Sequence, residues 1–366
     1  MTYTLLGHSG LRASTLCLGT MGFLGNSSWG DRKISWSSTK DVSAKIVEAF
    51  LHHGGNIIDT ANSYGDSEEW LGELLGAARH EVIISTKYCG SNSPVDVNGS
   101  GAHRKSMLRS VERSLRRLRT DYIDVLSLHC WDFLTPVDEV MRALDDLVRS
   151  GKVLSVGVSN APAWIVSMGN AASRLRGHVA FSSCQVEYNL MDRDVEREIL
   201  PMARALDIRV MAWSPLASGW LTGKYLDRPS SGNGRVSGDG HEPRRLDDPV
   251  MGRFVRRSDR NIAIAAEVCR IAAEIDRPPV QVALNWLRQR GVIPIVGART
   301  EEQIVENLRC TEFELEQRHH DALTEIGKIS LGYPHAFLKS KIVSQFMYGK
   351  HEIVDARRVG QPGLFS

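Results

Sequence analysis

The chain of 366 residues is 42% hydrophobic and 24% charged, the composition of an ordinary globular protein with a large core. Its 45 basic and 43 acidic residues leave a formal net charge of +2, so nucleic acid and anionic membrane surfaces are not expected as partners. No uninterrupted apolar run is long enough to span a bilayer, and no membrane association is expected.

The six cysteines are scattered along the chain and show neither zinc-type nor redox-type spacing. The first residues lack the basic start and apolar stretch of a secretory signal. We therefore expect reduced thiols, no bound metal and a cytoplasmic location.

The first segment is typical of a β-hairpin formed by residues 3–6 and 11–13 around a Gly-rich turn. Short apolar runs then alternate with longer amphipathic stretches, which indicates repeated β-α units. The predicted strands are 16–19, 57–60, 82–87, 123–129, 153–159, 183–186, 208–214 and 292–296. The predicted helices are 41–54, 67–79, 103–118, 136–150, 161–176, 194–206, 261–275, 301–309 and 315–326.

Eight β-α units favour a closed (β/α)8 TIM barrel, with the hairpin as an N-terminal cap. The alternative is an open doubly wound sheet, which normally carries G-x-G-x-x-G after its first strand. Residues 19–25 place their glycines at the wrong spacing for that motif. We predict one domain over 1–366, with a core at about 15–328, a long loop at 217–260 after the seventh strand and a C-terminal tail at 329–366.

Polar residues stand at the predicted carboxyl ends of all eight strands, where a barrel places its active site. Asp59, Lys87 and His129 end three of these strands, and Tyr64 follows Asp59 in the next loop. Each residue alone has an ordinary structural explanation, such as a helix cap or a core histidine. Their order and common position favour catalysis.

These four side chains suit the reduction of a carbonyl by hydride, which needs a proton donor for the developing alkoxide. A phenol is a weak acid near neutral pH, and a neighbouring ammonium favours its ionised form. We expect Asp59 to hold Lys87 charged beside Tyr64. His129 is expected to orient the carbonyl oxygen or donate to it.

The chain resembles the aldo-keto reductases from about residue 3 to 328, and in particular the bacterial type related to potassium-channel β-subunits. The matching stretches are 18–21, 56–61, 64–65, 85–87, 114–118, 121–124, 151–153, 157–160, 185–189, 213–216 and 221–225. The resemblance implies a catalytic tetrad of Asp59, Tyr64, Lys87 and His129. It also implies NADPH or NADP+ as the cofactor, bound without a Rossmann fold.

By this resemblance Ser159, Asn160 and Gln185 bind the carboxamide, and Trp213 stacks on the nicotinamide where many members have Tyr. Arg299 favours NADPH, because a guanidinium can grip a 2′-phosphate through two hydrogen bonds. The loop 217–260 resembles a cofactor clasp. The full expected cofactor set is Gly19, Thr20, Met21, Asp59, Ser159, Asn160, Gln185, Trp213, Ser214, Pro215, Leu216, Ser218, Lys224, Gly297, Arg299, Gln303, Glu306 and Asn307.

The substrate is expected to be a small carbonyl compound, an aldehyde or a ketone, that is apolar or flat. The expected lining residues are Trp29, Tyr64, Tyr88, His129 and Trp131, with Met191 as a weaker candidate. A second hypothesis is a cofactor-binding sensor subunit with little turnover, against which the complete tetrad argues. A metal-dependent hydrolase is disfavoured, because the sequence has no His-x-His or His-Glu-x-x-His motif.

Overall fold

The computed structural model describes residues 1–25, 37–91, 95–226, 257–349 and 351, together with the backbone of 28–29 and 32–33. Most of the predicted clasp, at 227–256, and the end of the tail, at 352–366, lie outside the described residues. The side chain of Trp29 lies outside them as well.

The strands of the described part form two short hairpins and a barrel. In chain order they are β1 (Tyr3–Leu5), β2 (Arg12–Ser14), β3 (Cys17–Gly19), β4 (Ser28–Trp29), β5 (Arg32–Lys33), β6 (Ile57–Asp59), β7 (Ile83–Tyr88), β8 (Ile123–Leu128), β9 (Val153–Ser159), β10 (Ser183–Glu187), β11 (Arg209–Trp213) and β12 (Ile293–Val296). β1 pairs antiparallel with β2, and β4 with β5. The other eight strands are parallel and follow one another around a closed barrel, in which β12 returns to β3. The predicted TIM barrel is confirmed.

Helices surround this barrel. They are α1 (Lys40–His52), α2 (Ser67–Leu75), α3 (Arg104–Leu118), α4 (Val137–Arg149), α5 (Ala163–Arg176), α6 (Ile199–Leu206), α7 (Asp259–Glu274), α8 (Pro279–Gln289), α9 (Glu301–Leu308), α10 (Gln317–Ile326), α11 (His335–Leu338) and α12 (Lys341–Tyr348). Thr39, Ser258 and Thr300 cap α1, α7 and α9, each accepting a hydrogen bond from a backbone N–H of the first turn. Within the described ranges, no helix is long and apolar enough to cross a membrane.

The helix α8 was not predicted from the sequence. Its residues from Val280 to Leu287 are all buried, although Gln281, Asn285 and Arg288 follow one another at the helical spacing of four and three residues, a pattern that the sequence interpretation overlooked. Its start signal is Pro279 at the first helical positions, where the missing N–H costs nothing. The short helices α11 and α12 of the tail were also not predicted.

The hairpin closes one end of the barrel with apolar side chains. Leu6 and Ala13 pack beneath inward-facing residues of six barrel strands: Cys17, Ile57, Ile83, Val125, Met211, Ile293 and Ile295. Burial of each large apolar side chain contributes about 1.5–3 kcal/mol, so this end stabilises the fold. The opposite end, where the strands terminate, carries the polar groups.

Candidate active site

The structure brings the four predicted tetrad residues together at the carboxyl end of the barrel. Lys87 is fully buried, and its Nζ donates to Asp59 Oδ2 at 2.6 Å and to the Thr60 carbonyl oxygen at 2.8 Å. The same Nζ lies 3.5 Å from the Tyr64 hydroxyl oxygen. The Tyr64 ring meets the His129 ring edge to face, with 5.8 Å between the centroids.

Strand register explains why Asp59 and Lys87 meet. Asp59 pairs with Ser85 across β6 and β7, and Lys87 is two residues further along β7. Residues two apart on a strand point to the same face, so Ser85 and Lys87 both point into the barrel beside Asp59.

The loop after β6 places Tyr64 over Lys87. Its backbone N–H donates to the Ala61 carbonyl at 3.1 Å, and the following Gly65 has a φ of +53°. Ser67 then fastens the loop, since its hydroxyl bonds both Thr20 Oγ1 at 2.6 Å and Thr60 Oγ1 at 2.8 Å. The phenol is therefore held in a defined place, with 9% of the side chain exposed.

Charge at this site is set by burial and by the ion pair. Burial lowers the pKa of Lys87, but the attraction of Asp59 and of Tyr64 outweighs it, so the pKa is raised and the amine is charged. Burial, followed by repulsion from Lys87, lowers the pKa of His129 to about 3. The imidazole is therefore neutral near pH 7 and can donate one hydrogen bond from one ring nitrogen.

The three expected carboxamide ligands stand next to the tetrad. Gln185 Nε2 donates to Asp59 Oδ1 at 2.7 Å. Asn160 Nδ2 donates to the His129 carbonyl at 3.0 Å, and its Oδ1 accepts from Trp213 Nε1 at 3.1 Å. The Ser159 hydroxyl is buried and has no hydrogen-bond partner in the described part of the chain. A buried hydroxyl normally has one, so this group fits a ligand that supplies it.

A cleft of 480 Å³ is lined by residues that follow β11, by β12 and by the starts of α8 and α9. Ala217, which was also expected at the phosphate end, is fully buried and does not line it. The other residues expected at the phosphate and adenosine end do, namely Ser214, Pro215, Leu216, Ser218, Lys224, Gly297, Arg299, Gln303, Glu306 and Asn307. The sequence interpretation missed further lining residues: Gly219, Thr222, Pro278, Pro279, Val280, Ile295, Val296 and Ala298. Of these, only the Pro278–Pro279 pair could have been found from the sequence, because proline is typical of the first positions of a helix and α8 begins there.

Backbone conformations on one side of this cleft are unusual. Ser214, Ala217 and Ser218 have φ values of 53°, 48° and 54°, which non-glycine residues seldom adopt. Gly219 has a φ of 92°, and a Cβ there would lie 2.8 Å from the Lys224 ammonium nitrogen. Glycine thus lets Lys224 lie against the backbone at the cleft.

The other wall contains the start of α9. Arg299 donates its backbone N–H to Gln303 Oε1 at 2.9 Å, just before the helix begins at Glu301. A helix N-terminus favours an anion, since its first N–H groups and its dipole are both positive. Together with Lys224, these groups suit a cofactor that carries phosphates.

Some predicted residues lie in different surroundings from those expected. Thr20 is fully buried, and its hydroxyl bonds the Asp59 carbonyl at 2.9 Å and Ser67, so its side chain supports the site from behind. Gly19 packs closely against β12, where a Cβ would lie 2.7 Å from the Ile295 side chain. Met21 is half-buried.

The structure does not place Tyr88 where it could contact the substrate, contrary to the expectation from the sequence. Lys87 points into the barrel, so Tyr88 points outward into the core between strand and helices, where it is fully buried. Its hydroxyl donates to the Ala102 carbonyl at 3.3 Å. Trp131 is 9% exposed beside His129, and Met191 lines a second cavity of 480 Å³ together with Asn160 and Trp213.

No group of three or more His, Cys, Asp or Glu side chains suited to a metal ion occurs among the described residues. The donors at the site are instead an ammonium, a phenol, an imidazole and amides. The orphaned Ser159 hydroxyl and the long cleft fit a nicotinamide dinucleotide.

Comparison with known proteins agrees with this geometry. The Aldo/keto reductase family matches residues 15–328. The chain belongs to this family.

Relatives of this aldo/keto reductase include fungal enzymes. It is 36% identical over 339 residues to a norsolorinic acid reductase of Emericella nidulans, covering 90% of this chain and 82% of that protein. It is 34% identical over 338 residues to an aryl-alcohol dehydrogenase of Pestalotiopsis microspora, with the same two coverages. A probable aryl-alcohol dehydrogenase of Saccharomyces cerevisiae is 32% identical over 82% of this chain and 92% of its own length. The chain is an oxidoreductase, as are the reductase and the dehydrogenases to which it is similar.

Proposed function

We propose that this aldo/keto reductase uses NADPH to reduce an aldehyde or a ketone to an alcohol, with Tyr64 as the general acid. The position of the Lys87 ammonium carries this proposal, since it lies 2.6 Å from the Asp59 carboxylate and 3.5 Å from the Tyr64 hydroxyl. A buried ammonium held beside a phenol stabilises the phenolate that forms when the phenol donates its proton.

The proposed chemistry divides among the four side chains. Tyr64 donates its proton to the carbonyl oxygen, and Lys87 stabilises the phenolate left behind. Asp59 keeps the Lys87 ammonium charged and holds it near the Tyr64 hydroxyl. The neutral imidazole of His129, against the Tyr64 ring, orients the same carbonyl oxygen.

A bound reduced nicotinamide supplies the hydride for this reaction. Ser159, Asn160 and Gln185 are the proposed holders of its carboxamide, and Trp213 offers a partly exposed indole face for stacking. Arg299 and Lys224 are proposed to hold the phosphates, with Arg299 selecting NADPH over NADH. Residues 217–226, the described part of the clasp, form one side of the same cleft.

The proposed substrates are aromatic aldehydes and ketones. Two considerations support this class: the relatives are named for aryl alcohols and norsolorinic acid, and Trp131, a predicted lining residue two positions after His129, keeps 9% of its surface exposed. A flat ring gains from an aromatic wall by offset or edge-to-face packing.

Consumption of NADPH with an activated aryl aldehyde such as 4-nitrobenzaldehyde tests the proposal. We expect saturable oxidation of NADPH and formation of the benzyl alcohol. Tight NADPH binding without turnover over a broad panel of carbonyl compounds would instead identify a sensor subunit.

A further inference from the structure

Two cysteines lie beside the tetrad, one after each of two neighbouring catalytic strands. Cys89 stands two residues after Lys87, and Cys130 directly follows His129. Cys89 Sγ lies 3.4 Å from the Cys130 carbonyl oxygen, to which its thiol donates a hydrogen bond. The pair was hidden in the sequence because 41 positions separate the two residues.

The two sulfurs differ in exposure and protonation. Cys130 is exposed, and the neighbouring Cys89 thiol lowers the pKa of the Cys130 thiol to about 7. Cys89 is less exposed, and the neighbouring Cys130 thiol together with burial raises the pKa of the Cys89 thiol. Cys130 is thus the sulfur that becomes a thiolate near neutral pH and meets solvent, which are the two properties of a reactive cysteine.

We propose that Cys89 and Cys130 form a redox-active dithiol, which a hydroperoxide converts into a disulfide that suppresses carbonyl reduction. The Cys130 thiolate attacks one peroxide oxygen and becomes a sulfenic acid, while the O–O bond breaks and water leaves after protonation. Cys89 then attacks the sulfenic sulfur, the S–S bond forms and a second water leaves. One hydrogen peroxide is reduced to two waters as two thiols are oxidised.

The effect on activity follows from what surrounds Cys130. The preceding His129 carbonyl accepts from Asn160 Nδ2 at 3.0 Å, and Asn160 Oδ1 accepts from the Trp213 indole at 3.1 Å. The Trp131 N–H in turn donates to the Asn160 carbonyl at 3.4 Å. Drawing residue 130 toward the end of β7 therefore displaces His129 and the bridge to Trp213. This inhibitory step rests on the proposed carbonyl reduction, whereas disulfide formation does not.

The experiment treats the full-length protein with a small excess of hydrogen peroxide. Intact mass, peptide mapping and NADPH-dependent reduction of 4-nitrobenzaldehyde are followed in parallel. We expect the loss of two hydrogens, a Cys89–Cys130 linked peptide, and at least a tenfold fall in activity that dithiothreitol restores. Cys130→Ser and Cys89→Ser should keep their activity under the same peroxide dose. Cys269→Ser, which alters a partly exposed cysteine elsewhere, should behave as the wild type.

Several outcomes would overturn the proposal. Sulfinic acid at Cys130 without a linked peptide would contradict the dithiol. A linked peptide with unchanged activity would contradict the regulatory effect. If the untreated protein reduces no carbonyl compound, the proposed function fails, and the linked peptide still decides whether the dithiol exists.

Discussion

Gln185 and Asp59, 126 positions apart in the chain, are joined by a 2.7 Å hydrogen bond across the barrel interior. Asp59 therefore has one carboxylate oxygen on the Lys87 ammonium and the other on the Gln185 amide. Gln185 is also a proposed ligand of the nicotinamide carboxamide. This bond links the proposed cofactor site directly to the group that holds Lys87 charged.

The first prediction concerns the buried ion pair. Asp59→Asn should lower the free energy of unfolding by about 3–5 kcal/mol, because Lys87 is left as a buried charge without its counter-ion. Lys87→Met should also destabilise the fold. The double variant should lose less than the sum of the two, as measured by urea unfolding. Simple additivity would show that the two charges do not depend on each other.

The second prediction concerns the orphaned hydroxyl of Ser159. Ser159→Ala should leave the free energy of unfolding nearly unchanged, since the hydroxyl has no partner among the described residues. It should weaken NADPH binding roughly twofold to tenfold, the worth of one hydrogen bond of about 0.5–1.5 kcal/mol. Fluorescence titration measures the binding.

Ser155 provides the matched control on the same strand. Its hydroxyl bonds Ser182 Oγ at 2.7 Å, so Ser155→Ala should cost stability without changing NADPH affinity. The reverse pattern in these two variants would remove Ser159 from the cofactor site.

The third prediction tests cofactor choice. Arg299→Ala should raise the dissociation constant of NADPH by roughly 10- to 100-fold, as expected for charge-assisted hydrogen bonds of about 1.5–3 kcal/mol. The affinity for NADH should change little. Arg309→Ala, beyond the far end of α9, is the control and should affect neither cofactor. Equal weakening of both cofactors by Arg299→Ala would rule out a 2′-phosphate contact.

The fourth prediction concerns His129 and pH. The pKa of His129 is lowered by burial from 6.5 to about 3, so below pH 6.5 the unfolded chain takes up a proton that the folded chain does not. His129 therefore lowers the free energy of unfolding in acid, and this loss increases as the pH falls from 6.5 toward 3. Urea unfolding of wild type and His129→Gln over this range should show the wild type losing more stability. A constant difference would mean that the folded-state pKa of His129 is not lowered.

Much of the fold could be predicted because apolar runs and glycine stops mark each β-α unit. The eight strands were placed within about two residues, and the rule that barrel sites lie at strand ends brought Asp59, Lys87 and His129 together. Tyr64 followed because the loop after β6 is short. The agreement therefore rests on local pattern and on one geometric rule.

The sequence did not reveal features that depend on side-chain orientation and on tertiary contacts. Tyr88 lies in a strand buried on both faces, so no polar alternation showed that Lys87 faces inward and Tyr88 outward. The helix α8, by contrast, could have been predicted, because its polar residues Gln281, Asn285 and Arg288 recur at helical spacing. The bond between Gln185 and Asp59 and the contact of Cys89 with Cys130 depend on tertiary packing, which pattern alone does not supply.

The most direct test of the proposed mechanism is a single-turnover measurement on Tyr64→Phe with NADPH and 4-nitrobenzaldehyde. Loss of the phenolic proton should slow carbonyl reduction by roughly 10²- to 10⁴-fold. NADPH affinity should stay close to that of the wild type, because Tyr64 is proposed to contact the carbonyl oxygen and not the nucleotide. Reduction at the wild-type rate would contradict the assignment of Tyr64 as proton donor.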